Sequence, residues 1–169
     1  MKRIQEALNE KILILDGPMG TMIQNENLKE EDFRGKKFES SSISLKGNND
    51  ILNLTQEKII YDIHTKYLSA GADIIETNTF NSTKTSQFDY KCEDFSYDLN
   101  FSGGKIARKA VDDFLIKNPN ETKYVAGVLG PTNRTCSMSP DVNNPGFRNI
   151  SFDELYSDYE KSSEALIEA

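Results

Sequence analysis

Three short apolar runs along this 169-residue chain each lead into polar residues that could bind a ligand. The first run, ILIL at 12–15, is followed by Asp16, Gly17 and a Pro-Met-Gly turn. The second, ADIIET at 72–77, leads into Asn78, and the third, YVAGVL at 124–129, leads into Gly130. Apolar runs bounded by turn residues are typical of strands buried on both faces of a parallel sheet, and such sheets bind ligands at their carboxyl ends. The sequence therefore predicts a site at residues 16–21, 76–81 and 130–134.

Helical patterns alternate with these runs. Apolar residues keep helical spacing in the segments 2–10, 55–70 and 97–117, and Ser151 with Glu154 forms a capping box ahead of a fourth helix. Thr55 is expected to cap the second helix and Gly71 to end it. The strand-to-helix loops (16–54, 78–96 and 130–150) are long, whereas the helix-to-strand loops are short, as in α/β barrels that build their sites from βα loops. Long loops are also tolerated as insertions, but three on one face favour a site there.

The helix expected at 97–117 contains two adjacent glycines, Gly103 and Gly104. Each glycine inside a helix costs about 1 kcal/mol relative to alanine. The sequence alone thus predicts that this helix is the weakest of the series.

Composition narrows the class of protein. The net charge of −7 argues against a surface that binds nucleic acid or an anionic membrane, because both need clustered basic residues. No apolar run approaches the roughly 20 residues of a membrane span. The only cysteines, Cys92 and Cys136, suggest a reducing cytoplasm rather than a disulfide framework.

Several motifs resemble one known family. The runs LDGPMGTMIQ, LKGNNDILNLT, AGADIIETNTFNST, YVAGVLGPTNRT and SPDVNNPGFRNISFDEL closely resemble the homocysteine-binding module of cobalamin-dependent methionine synthase, over nearly the whole chain. The betaine–homocysteine methyltransferases are more distant, since they lack the last two motifs. The resemblance implies one domain over residues 1–169, formed by about three βα units of an incomplete (β/α)₈ barrel.

The resemblance also implies which residues contact homocysteine. Asp16 and Gly17 match the turn after strand one, where the family's backbone and acid approach the amino-acid head group. The remaining matches lie after strands two and three: Glu76, Asn78, Thr79, Phe80, Thr132 and Asn133. These residues would position substrate, and none is a nucleophile or a metal ligand. Pro18 stands where the family usually has Gly or Ala, which removes an N–H donor, so replacing it with glycine should leave affinity unchanged or raise it.

The family's cofactors are zinc and methylcobalamin, and its partners are folate-binding and cobalamin-binding domains. Three cysteines of later barrel strands hold the zinc, so no position here inherits that role. His64 is expected to be a packed or half-exposed helix residue, Cys92 a surface or loop thiol, and Cys136 a residue that could line the pocket. Their spacing is not that of a zinc site.

Three readings follow for the function. The first is the homocysteine-binding part of methionine synthase, which transfers methyl from methylcobalamin to a zinc-bound homocysteine thiolate and is inactive as this chain alone. The second is a non-catalytic half-barrel that acts only by association with a complementary chain or with itself, because three parallel strands leave open edges. The third is another barrel enzyme that shares this front half.

Overall fold

The computed structural model describes residues 3–169. Eight α-helices and two short strands are assigned in this part of the chain, with 3₁₀ turns between some of them. In chain order they are α1 (Ile4–Leu8), α2 (Met19–Asn25), α3 (Glu30–Arg34), α4 (Leu52–Thr55), α5 (Glu57–Ala70), β1 (Ile74–Glu76), α6 (Lys84–Gln87), α7 (Ser96–Lys117), β2 (Tyr124–Ala126) and α8 (Phe152–Glu168). The expected α/β class is confirmed, although helices dominate.

The sheet is parallel, as the sequence predicts. β1 and β2 pair in parallel with Ile75 opposite Val125. The segment 12–15 adds a single parallel bridge, between Leu15 and Ile74. The amide of Asp16 donates to the Ile74 carbonyl at 2.9 Å, and the amide of Ile74 donates to the Ile14 carbonyl at 3.1 Å. All three runs therefore end at the same edge.

The prediction that strand one is buried on both faces is wrong. Ile12 is 87 % exposed, and Ile14 and Leu15 are about half exposed. This segment lies at the margin of the sheet, and no element of residues 3–169 covers its outer side. A carboxylate fixes its position, because Asp73 accepts hydrogen bonds from the Lys11 ammonium at 2.6 Å and from the Ile14 amide at 3.1 Å.

Local signals placed the helix ends with one exception. Gly71 ends α5 in the left-handed conformation at φ 107°, and Ser151 with Glu154 forms the expected capping box of α8. Thr55 does not cap α5. It ends α4, and Gln56 precedes α5 instead. The Thr55 hydroxyl donates to the Ile51 carbonyl at 3.3 Å, so it bonds back along the chain that precedes α5.

The first long loop contains more regular structure than the sequence indicates. Residues 16–54 include α2, α3 and most of α4, whose apolar side chains pack against α5 and α7. Within this segment the Glu30 carboxylate binds Arg34 at 2.6 Å and the amide of Leu45 at 2.9 Å. This ion pair holds the chain between α3 and α4 in a compact loop.

α7 lies between α5 and α8 and packs on the sheet. Its two glycines are buried at close contacts. A Cβ on Gly103 would lie 2.5 Å from Cγ2 of Thr79 and 2.8 Å from Nδ2 of Asn53. A Cβ on Gly104 would lie 2.5 Å from Cβ of Ala169. The glycines therefore allow α7 to approach the loop after β1 and the end of α8.

None of the helices described in residues 3–169 is long and apolar enough to cross a membrane. Of the two positions predicted for the Cys92 thiol, the loop is confirmed and the surface is wrong, because the residue lies between two 3₁₀ turns and only 2 % of it is exposed. Its thiol donates to the Tyr90 carbonyl at 3.2 Å, and burial raises the thiol pKa.

Candidate functional site

A cavity of about 450 Å³ lies where the first strand segment and β1 end. The glycine-rich turn after residue 15 forms one wall, and the residues that follow β1 form the other. The lining residues are Asp16, Gly17, Pro18, Met19, Gly20, Glu76, Thr77, Asn78, Phe80 and Val128. Five of the eight residues that the sequence singles out thus lie around one cavity: Asp16, Gly17, Glu76, Asn78 and Phe80.

Asp16 is the most unusual group in this cavity. Its Oδ2 accepts a hydrogen bond from the Glu76 amide at 3.0 Å, whereas Oδ1 is buried and has no partner in the chain. Burial, together with the nearby Glu76 carboxylate, raises the pKa of Asp16 to about 6. A buried oxygen without a partner is unfavourable, so this carboxylate is suited to a ligand that donates a hydrogen bond.

The turn after Asp16 depends on a close approach by α5. A Cβ on Gly17 would lie 3.0 Å from the ring of Tyr67, so this position favours glycine. The Tyr67 hydroxyl donates to the Pro18 carbonyl at 3.4 Å, and burial and the Asp16 charge raise its pKa. Tyr67 lies in the segment 55–70, for which the sequence predicts only a helix with apolar residues at helical spacing. No sequence signal indicated that its hydroxyl reaches the turn.

Pro18 is in the extended conformation, with φ −68°, directly before α2. Its carbonyl oxygen accepts a hydrogen bond from the Met22 amide at 3.3 Å, at the start of α2. The proline ring therefore fits the local backbone. The predicted effect of Pro18→Gly on ligand affinity stays a prediction.

On the opposite wall, Phe80 is about half exposed and lines the cavity. Its backbone passes so close to Gly130 that a Cβ there would lie 2.0 Å from the Phe80 carbonyl oxygen. The loop after β2 thus packs directly on the loop after β1, and glycine at position 130 allows this close approach.

Asn78 and Thr79 are buried among neighbouring groups. The Asn78 side-chain amide donates to the Asn49 carbonyl at 2.9 Å and to Oδ1 of Asn53 at 3.1 Å. The Thr79 hydroxyl donates to the Val128 carbonyl at 2.8 Å, and Thr79 does not line the cavity. Both residues hold the loop in place through hydrogen bonds that the chain itself satisfies.

Thr132 and Asn133 also lie outside the cavity lining. The Thr132 hydroxyl donates to the Arg134 carbonyl at 2.6 Å, and the Asn133 side chain donates to the Asp89 carboxylate at 2.7 Å on the surface. The structure does not bring these two residues together with Asp16.

The described residues do not fit a zinc site. Residues 3–169 contain no group of three His, Cys, Asp or Glu side chains close enough to hold a metal ion. Cys92 is buried beside Tyr90. Cys136 lines an apolar groove along α8 instead of the expected pocket. His64 is fully buried, as the sequence allows, with both ring nitrogens unpartnered, and burial lowers its pKa to about 4.

Known proteins share this fold. The chain is similar to the Escherichia coli homocysteine methyltransferase MmuM in its metallated form, with 21 % identity and a TM-score of 0.69, over 98 % of this chain and 53 % of that one. The oxidized form gives a TM-score of 0.68 at the same identity, over 98 % of this chain and 52 % of that one. The apo form gives 0.62, again at 21 % identity, over 95 % of this chain and 47 % of that one. The chain therefore spans about half the length of these structures.

The sequence itself matches a family over most of its length. Residues 13–169 match the homocysteine S-methyltransferase family, so the match includes every residue of the cavity lining. The chain therefore belongs to the homocysteine S-methyltransferase family.

Proposed function

We propose that this chain forms the homocysteine-binding part of a homocysteine S-methyltransferase of the cobalamin-dependent methionine synthase type. Family membership supports methyl transfer to homocysteine in general. The density of motifs similar to methionine synthase, above all GPTNRT and NNPGFRNISFDEL, supports methylcobalamin as the methyl donor. Zinc ligands would come from outside this chain, and the residues described here would act by holding substrate.

The observation that carries this proposal is the unpartnered Oδ1 of Asp16 inside the cavity. The ammonium of an amino acid is a cationic donor, and a charge-assisted hydrogen bond to a carboxylate is about twice as strong as a neutral one. The Glu76 carboxylate adds negative charge near Asp16 in the same cavity. Phe80 and Val128 leave an apolar wall that suits the carbon chain of a small amino acid.

Titration of homocysteine followed by NMR tests this assignment. Asp16→Asn should weaken binding by about tenfold, since a hydrogen bond to a charged group contributes about 1.5–3 kcal/mol and this site is partly open to water. Asp89→Asn is the matched control, because Asp89 is exposed and contacts Asn133 outside the cavity. Equal affinity of both variants and the wild type would contradict the proposal.

The pH dependence gives a second test. Asp16 holds a cation only when it is ionised, and its pKa is about 6. Affinity for homocysteine should therefore rise as the pH increases through about 6, and this step should be absent in Asp16→Asn.

The isolated chain should form no methionine from homocysteine and methylcobalamin, and detectable product would refute that part of the proposal.

Two exposed apolar surfaces favour a second candidate function, that of a half-barrel completed by another polypeptide segment. One is the first-strand edge, formed by Ile12, Ile14 and Leu15. The other is the α8 face, where Phe152 is 69 % exposed and Tyr156 58 %. A groove of about 530 Å³ runs along the α8 face. Exposed apolar patches of this kind mark interaction sites.

The proposed occupant is a segment that carries further βα units, because the sheet of residues 3–169 has two strands and one bridged segment, whereas a complete barrel has eight strands. Sedimentation of the chain with such a segment should show a 1:1 complex. Tyr156→Glu should weaken this complex, whereas Ile116→Glu, on the 79 % exposed outer side of α7, should not. Equal complex formation by both variants, or none by the wild type, would exclude this role.

A further inference from the structure

The motif LKGNNDILNLT, residues 45–55, contributes no residue to the cavity lining. Its polar side chains are nevertheless buried. Asn48 is 2 % exposed, and Asp50 and Asn53 are each 3 % exposed. Buried polar groups at this density need partners, and the partners show what the motif supports.

Asp50 binds the loop that forms one wall of the cavity, residues 78–82, here called the rim loop. Its Oδ1 accepts the backbone amide of Asn81 and the hydroxyl of Ser82, both at 2.8 Å. These two residues directly follow Phe80, which lines the cavity. One carboxylate oxygen therefore fixes the backbone of the rim loop immediately beside a lining residue.

Amide side chains of the same motif also bind the backbone of the rim loop, Asn53 directly and Asn48 through Gln87. Asn48 and Gln87 exchange hydrogen bonds at 2.7 and 3.1 Å, and Gln87 also donates to the Asn81 carbonyl at 2.8 Å. Asn53 donates to the Asn78 carbonyl at 2.7 Å and accepts from its side chain at 3.1 Å. With these bonds made, Asp50 is the charged member of a buried network.

We propose that Asp50 is a positioning residue that holds the rim loop in place against the substrate cavity. The cavity's role in binding homocysteine is the proposed function above, and this inference rests on it. Asp50 does not line the cavity, so it acts through the loop and not by touching a ligand. Loss of its Oδ1 acceptor leaves the Asn81 amide and the buried Ser82 hydroxyl without this partner, which is unfavourable.

The charge of Asp50 gives the network a titratable point. Burial raises its pKa to about 6 against the opposing effect of the bonds from Ser82 and Asn81, and no charged residue of the described chain is among the causes. Opening of the rim loop that exposes Asp50 to water would return its pKa towards the ordinary 3.8, so the closed loop binds a proton more tightly than the open one. The protection of the rim loop should therefore increase as the pH falls through about 6.

Amide hydrogen exchange of the unliganded chain, corrected for the intrinsic pH dependence of exchange, tests the inference without any substrate. Asp50→Ala should lower the protection of the Asn81 amide at least tenfold. Asp50→Asn, which keeps an acceptor oxygen, should restore most of this protection and remove its pH dependence. Asp158→Ala is the matched control, because Asp158 is a buried carboxylate that accepts from the amide and hydroxyl of Thr85.

The outcomes separate this inference from the proposed function. Wild-type protection at Asn81 in Asp50→Ala, or the same loss in Asp158→Ala, would overturn it. If Asp50→Ala does not fold, a wild-type Asn81 protection that does not change between pH 7 and 5 would overturn it instead. A chain that shows the expected exchange but binds no homocysteine would refute only the proposed function. Where homocysteine binds, Asp50→Ala should also weaken that affinity about tenfold.

Discussion

Gly103 offers a sharp test of how α7 fits against the site, because sequence and structure predict opposite effects for its replacement by alanine. Helix propensity alone favours alanine by about 1 kcal/mol. In the structure, the added Cβ would lie 2.5 Å from Cγ2 of Thr79 and 2.8 Å from Nδ2 of Asn53. Neither neighbour can move away freely, since Thr79 donates to the Val128 carbonyl and Asn53 donates to the carbonyls of Asn78 and Leu99.

The net effect follows from these opposing contributions. Overpacking a closed site costs about 1–3 kcal/mol, and each hydrogen bond that lengthens to relieve the clash costs about a further 1 kcal/mol. After the gain in propensity is subtracted, Gly103→Ala should lower the free energy of unfolding by about 1–3 kcal/mol. Most of this loss should arise at the contact between α7 and the loop after β1.

Urea unfolding followed by circular dichroism measures the change. Gly104→Ala is the control within the same helix. Its close contact is with Ala169, which follows the last residue of α8 and can shift at less cost, so the effect should stay within about 1 kcal/mol. Stabilisation of the protein by Gly103→Ala would refute the packing argument and leave helix propensity as the dominant effect.

Three further predictions concern other parts of the chain. Gly130→Ala should destabilise the protein by about 1–3 kcal/mol in urea, because its Cβ would meet the backbone of Phe80, whereas Gly146→Ala, with 4.0 Å of space, should not. Ser151→Ala should cost about 1 kcal/mol of stability through loss of the α8 cap, measured by thermal unfolding. His64 has a pKa of about 4 in the folded protein against an ordinary 6.5. The stability that its buried, neutral ring contributes is therefore complete above pH 6.5 and is lost as the pH falls towards 4. A stability difference between wild type and His64→Leu that changes by about 3 kcal/mol between pH 7 and 4 would confirm this, and a constant difference would contradict it.

Sequence reasoning succeeded where the determining interactions are local. Gly71 ends α5 because glycine adopts the left-handed conformation there, and Ser151 caps α8 through a residue three positions away. The clustering of Asp16 with Glu76 followed from the parallel direction of the strands, which brings their carboxyl ends together. None of these outcomes depends on the detail of long-range packing.

The failures concern residues whose environment depends on distant contacts. Apolar residues at 12–15 indicate a buried strand, but burial requires a covering layer that periodicity cannot show. Cys92 lies in a polar run and is nevertheless buried, because it belongs to the hydrophobic core cluster that includes residues of α5 and α7. The motif at 45–55 has no clear helical or strand periodicity. Its polar groups instead bind a loop about thirty residues away in the sequence.

The first-strand edge is attached to the sheet by few contacts, and this lowers the affinity of any ligand that needs the edge in place. This segment carries Asp16 and the glycine turn, but it is joined to the sheet by a few backbone hydrogen bonds, by Asp73 and by the bond from the Glu76 amide to Asp16. Little apolar area of this segment is buried. Burial therefore offsets little of the entropy that is lost when the segment is ordered in the unliganded chain. A molecule that bridges Asp16 and Glu76 would tie this segment to β1, and its observed affinity would be reduced by the fraction of chains in which the segment is detached.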